Sequence, residues 1–123
     1  MICFENNREY LLHPAEYSQY EAYISPMLEE EEEILAVCQT VHDGMVFTGR
    51  RIIAVDIQGM LGTEADVCSL FYRTVRSFAL EKEPDRCRLE LFLAGQKQLC
   101  FVFDYPDADI SVLATAISRF TLQ

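Results

Sequence analysis

Val46-Phe47-Thr48-Gly49-Arg50-Arg51-Ile52-Ile53-Ala54-Val55-Asp56-Ile57-Gln58-Gly59, followed by Ser69-Leu70-Phe71-Tyr72-Arg73-Thr74-Val75-Arg76-Ser77-Phe78-Ala79-Leu80-Glu81, decides the fold. Both stretches are dense in β-branched and aromatic residues, and a glycine-containing turn punctuates them. Short apolar runs bounded by turn formers read as strands.

Outward from this centre the same period of two continues. Strands are expected near 34–42, 44–48, 50–57, 65–72, 74–82, 86–94 and 97–104, with turns at Asp43-Gly44, Gln58-Gly59 with Gly62, Pro84-Asp85 and Gly95-Gln96. Seven short strands at this spacing indicate an antiparallel barrel or sandwich. In the sixth, Cys87, Leu89, Leu91 and Leu93 alternate with Arg88, Glu90 and Phe92, which gives one core face and one mostly polar face. In the seventh, Leu99, Phe101 and Phe103 alternate with Cys100 and Val102, so both faces are apolar and the second requires a cover, either a helix or another chain. After Pro106-Asp107, the residues Ile110, Leu113, Ala114, Ile117 and Phe120 recur at helical spacing, with Asp107 or Asp109 placed to cap the first turn.

Residues 1–32 read differently. Tyr17, Tyr20, Ile24, Met27 and Leu28 recur at three- and four-residue steps, which predicts a helix near 14–24 broken at Ser25-Pro26. The run Glu29 to Glu33 reads as a solvated helix end or loop, because adjacent like charges repel. The expected organisation is an N-terminal helical, acidic segment (1–32) and a β domain (33–123) within a single globular unit. Tyr17, Tyr20 and Ile24 either cap their own barrel or reach a neighbour.

At 123 residues the chain is long enough for one core. Its formal net charge is −10, and residues 1–33, with nine carboxylates and only Arg8 as a base, supply most of it. Such a field repels nucleic acid and anionic membranes. Six of the ten bases (Arg50, Arg51, Arg73, Arg76, Arg86, Arg88) sit in the central strand region, either as ordinary strand-surface solvation or as a basic patch facing a neighbour's acidic segment. Five widely spaced cysteines without a C-x-x-C pair argue against a disulfide framework or a metal site and fit free thiols in a reducing cytoplasm. No basic-then-apolar leader and no long apolar run is present, so a cytoplasmic protein is expected.

Taken together, Met27-Leu28 to Glu33-Ile34, His42-Asp43, Phe47-Thr48, Arg50-Arg51, Asp56 to Gly59, Tyr72, Phe78 to Glu81 and the closing helix resemble, in order and spacing, the bacterial pleckstrin-homology-like (PH-like) domain family over residues 27–122. Departures are Gly49, Thr63 and Phe71, where the family tends to have Asn, Lys and Pro, and a short segment after Glu81. The resemblance implies a mainly β fold, a seven-stranded barrel or sandwich capped by a C-terminal α-helix, and assembly into a closed ring of identical subunits whose strands meet side by side.

The residues do not point to a reaction. The hairpin Thr40 to Val46 has no Lys or Arg for phosphoinositide phosphates. Cys38 and His42, four residues apart on a strand, are about 13 Å apart and beyond hydrogen-bond reach. No phosphate loop, nucleophile elbow or dinucleotide fingerprint occurs, and no cofactor or metal is indicated. The expected function is therefore a non-enzymatic interaction module that forms a homo-oligomer and presents a polar surface to a protein partner. Arg50, Arg51, Asp56, Tyr72, Arg73 and Arg76 are the candidate protein-binding residues. Phe92, Cys100 and Val102 are the candidate oligomer interface. The alternative is a small-ligand-binding barrel, or a weak enzyme, using the barrel mouth.

Overall fold

Alternation of apolar and polar side chains builds one curled sheet of eight strands, seen in a computed structural model that describes residues 4–58, 64–105 and 110–121. The strands are β1 (Arg8–Pro14), β2 (Ile34–Gln39), β3 (Gly44–Thr48), β4 (Arg51–Gln58), β5 (Glu64–Phe71), β6 (Val75–Lys82), β7 (Cys87–Leu93) and β8 (Gln98–Phe103). Two helices complete the fold, the single turn α1 (Glu21–Ile24) and the closing α2 (Ile110–Thr121). The expected seven strands are all present within a few residues. Their order across the sheet is β5-β4-β3-β2-β1-β8-β7-β6.

The eighth strand corrects the reading of residues 1–32 as helical. β1 runs parallel to β8, from Arg8 opposite Leu99 to Leu12 opposite Phe103, and touches β2 only at His13 and Pro14. The helix expected at 14–24 is reduced to 3₁₀ turns at Tyr17–Gln19 and Ser25–Met27 on either side of α1. This segment covers its own sheet: Tyr20 and Ile24 pack on Val46, Ile53 and Val55, on the outer face of β3 and β4. Ile24 is fully buried, worth about 1.5–3 kcal/mol for a side chain of its size.

The inner face carries the core. Phe101 stacks on Tyr10 (centroids 5.2 Å, 14°) and meets Phe4 and Phe47 edge-on, while Phe47 also contacts Phe103. Ile110, Leu113, Ala116 and Ile117 of α2 close the open end with the side of the helix that the sequence spacing marks. Caps at Asp107 or Asp109 lie outside the described residues, as do Gly59 and Gly62 of the expected turn.

The β2–β3 connection also differs from the two-residue Asp43-Gly44 turn. Thr40 Oγ1 accepts the amides of His42 (3.3 Å) and Asp43 (2.9 Å), which widens the turn to Thr40–Asp43 and leaves Gly44 inside β3. Gly44 is required there for space, since a β-carbon would lie within 2.7 Å of three ring carbons of Tyr20. Gly44→Ala should lift Tyr20 off the sheet and cost about 1–3 kcal/mol, read by urea denaturation. An unchanged midpoint would show that Tyr20 yields freely.

Cys38, Cys87 and Cys100 carry free thiols, whereas Cys68 on β5 is disulfide-bonded, which corrects the expectation of free thiols throughout. An odd cysteine count leaves room for one pair. Burial pushes the Cys38 thiol up to about 11, so it is protonated near neutrality and is a poor nucleophile.

Candidate functional site

The end of the sheet where β3 turns into β4 gathers most of the charged side chains singled out from the sequence. Arg51 opens β4 but does not reach the surface: it is 6% exposed, and its Nε and Nη2 each donate to Glu32 at 2.9 Å. Nη2 also donates to the Met27 carbonyl at 2.7 Å, and the guanidinium lies 5.2 Å over the Phe71 ring. Glu32 further accepts the Thr48 hydroxyl at 2.7 Å and the Glu29 amide at 3.0 Å. Burial raises this carboxyl most, but the Arg51 bonds, the Glu29 amide, the Thr48 hydroxyl and the Arg51 charge together outweigh it and hold it below 4.5. The expectation of a solvated run from Glu29 to Glu33 thus fails at Glu32, which pins the N-terminal cover to the sheet.

Tyr72 is fully buried, its hydroxyl donating to the Thr48 carbonyl at 2.7 Å. Arg51 and Tyr72 are therefore internal, and the surface share of the six candidates falls to the rest. Arg50 ion-pairs with Glu29. Arg73 is exposed and lies 5.3 Å over Phe71, and Arg76 is exposed on β6. These three arginines flank one corner. Asp56 stands at the other end of β4, where Gln58 Nε2 donates to it (3.1 Å) and to Asp66 (2.9 Å). That amide offsets the repulsion of two carboxylates facing each other across β4 and β5.

Asp43 sits at the same end as Asp56, one position beyond the Gly44–Val55 pair. Its Oδ1 is buried without a hydrogen-bond partner among the described residues. Burial, then the Asp56 charge, push its carboxyl up.

Phe92, Cys100 and Val102 lie together on the outer face of β7 and β8, the face opposite Leu91, Leu99 and Phe101. Phe92 is half-buried, whereas Cys100 (7% exposed) and Val102 (3%) are already buried in the single chain. β8 is central rather than peripheral, and Arg88, paired with Glu9 across β8 and with Glu90 on its own strand, roofs it. Among the described residues no group of three or more metal-ligating side chains converges, and no helix is long and apolar enough to cross a membrane. Sequence reasoning missed Glu32 and Asp43, since neither shows a local pattern apart from its neighbours.

A strongly curled, mostly antiparallel sheet closed at one end by a C-terminal helix defines the pleckstrin-homology class of fold. The chain belongs to the Bacterial PH domain family, whose model matches residues 7–120. It is 34% identical over 58 residues to the uncharacterized protein YjqA of Bacillus subtilis (strain 168), a match spanning 47% of this chain and 46% of that one, so the two align over about half of either length. Among solved structures it resembles a DUF1696 family protein with a pleckstrin-homology domain from Shewanella loihica PV-4 (TM-score 0.61, 22% identity, 91% of this chain and 98% of that one). It also resembles a pleckstrin homology domain from Shewanella amazonensis SB2B (0.54, 26%, 89% and 90%). A third is a PH domain containing bacterial protein from Exiguobacterium sibiricum 255-15 (0.60, 13%, 91% and 63%).

Proposed function

We propose that this PH-like domain is a non-enzymatic interaction module that assembles with copies of itself into a ring and offers a polar surface to a protein partner. The observation that carries the reading is the open sheet: among the described residues β5 and β6, its two ends, pair on one side only. Unpaired strand edges invite another chain. The two edges differ in sequence, so a contact between them is head-to-tail, and such contacts close into rings when the rotation allows. Among the described residues, the outer face around half-buried Phe92 has no second layer like the one Tyr20 and Ile24 place over β3 and β4. The corner of Arg50, Arg73 and Arg76 supplies the polar surface for the partner.

Light scattering after size exclusion tests this reading. A discrete multiple of 14.2 kDa supports it, and a clean monomer sinks it. Subunits of net charge −10 repel, so the assembly should be firmer at higher salt. Phe92→Glu should shift the mass toward monomer while leaving the fold intact; an unchanged mass removes Phe92 from the contact.

A further inference from the structure

The sharpest unassigned feature is a cavity of about 220 Å³ between α2 and the start of β2, lined by Glu33, Leu35, Gly49, Val112, Thr115, Ala116 and Arg119. Its walls are built by regular structure. Val112 lies three and four residues before Thr115 and Ala116, and these lie four and three before Arg119, so the four form one side of α2. Opposite them, the Glu33 carbonyl accepts the Gly49 amide at 2.9 Å, which ties the entry of β2 to the β3–β4 turn. The floor is apolar, from Leu35, Val112 and Ala116.

Two properties set this cavity apart. The charges of Glu33 and Arg119 flank it, yet among the described residues neither side chain forms an ion pair, with the other or with anything else. Arg50 pairs with Glu29 and Arg86 with Glu83, whereas exposed Arg73 and Arg76, like Arg119, form no ion pair among the described residues. The second property is Gly49. A β-carbon there would meet nothing within 4 Å, and no positive φ demands glycine. The missing side chain leaves the cavity open without serving the backbone.

We propose that this cavity binds a small zwitterion, a free α-amino acid with an apolar side chain, whose ammonium group meets Glu33, whose carboxylate meets Arg119 and whose side chain rests on Leu35, Val112 and Ala116. An ion of one sign would leave one wall charge unanswered, and a purely apolar ligand would leave both. A charge-assisted fork of guanidinium on carboxylate orients the ligand, and the apolar floor selects among side chains. The site lies on α2, which also packs against β6, but ligand binding is read by local amide shifts and ring assembly by molar mass, so failure of one is distinguishable from failure of the other.

The test is titration of the ¹⁵N-labelled protein with L-leucine, followed by the Gly49, Leu35 and Thr115 amide resonances. Isoamylamine and 4-methylpentanoate, which are leucine without its carboxylate and without its ammonium group, serve as single-charge analogues at matched ionic strength. Saturable shifts with leucine are expected, with binding weakened roughly tenfold or more for either analogue and in Glu33→Gln or Arg119→Gln. Gly49→Leu should abolish the shifts at an unchanged melting temperature, because its side chain enters empty space. Non-saturating leucine shifts, either single-charge analogue binding as tightly as leucine, or full binding by a folded Gly49→Leu protein would each overturn the proposal.

Discussion

Arg51→Met is expected to remove about 3–5 kcal/mol of stability, the cost of leaving one partner of a buried ion pair alone. The geometry puts this site at the upper end. Glu32 would keep only the Thr48 hydroxyl and the Glu29 amide, the Met27 carbonyl would lose its 2.7 Å donor, and the ring of Phe71 would lose one of its two guanidinium neighbours. A domain of this size has about 5–15 kcal/mol in total, so the variant should sit near its unfolding limit at room temperature. Urea denaturation reads the loss. The double variant Arg51→Met with Glu32→Met should recover most of it, because two apolar side chains need no partners. A single variant within about 1 kcal/mol of the parent would show that water reaches the pair and screens it.

The same pair sets a pH dependence. Glu32 is held below its ordinary 4.5 in the folded chain, so its stabilisation is complete above that value and is lost as pH falls through the lower, folded value. Acid unfolding of the parent should therefore steepen below about pH 4.5. In Arg51→Met the strongest counterweight to burial, the Arg51 hydrogen bonds, is gone together with the weaker pull of its charge, and that acid limb should flatten. An acid limb of equal slope in both proteins would mean that Glu32 is not the titrating group.

How much of this was legible from the sequence depends on what kind of pattern each part leaves. β7 was plain, since Cys87, Leu89, Leu91 and Leu93 are buried and the residues between them are half-exposed, which is period two on the page and in space. α2 was plain for the same reason at period 3.6. β1 was not: Leu11 and Leu12 are adjacent and only Leu12 and Tyr10 turn inward, while Pro14 reads as a helix start. Its partner β8 is some ninety residues away and parallel, so no hairpin signal exists to reveal it. Glu32 was hidden for a different reason. Its burial is decided by Arg51 and Thr48 across a turn, and the four other glutamates of its run are exposed as the charge pattern predicts. Cys100 and Val102 follow the same logic: an apolar second face marks a strand that needs cover, but only the strand order shows that β1 and β7 provide it.

Phe101→Ala is the second large effect, expected at about 3–5 kcal/mol from lost burial and the cavity it leaves. Phe101 is fully buried on β8, and its ring touches Tyr10 on β1, Phe47 on β3 and Phe4 ahead of β1. It thus joins the two halves of a sheet whose β1–β2 seam holds only two residue pairs. Weak backbone pairing at that seam leaves side-chain packing to hold the halves together, and the stacked and edge-on contacts each add about 0.5–1.5 kcal/mol beyond area. Loss of the ring should therefore loosen β1 before the rest. Hydrogen exchange should accelerate at Tyr10 and Leu12 more than at Val46 or Ile53, which lie under the Tyr20 and Ile24 cover. Phe101→Leu, which keeps most of the volume, should retain over half of the lost stability. If exchange instead rises evenly over both halves, the sheet unfolds as one unit and the β1–β2 seam is not its weak line.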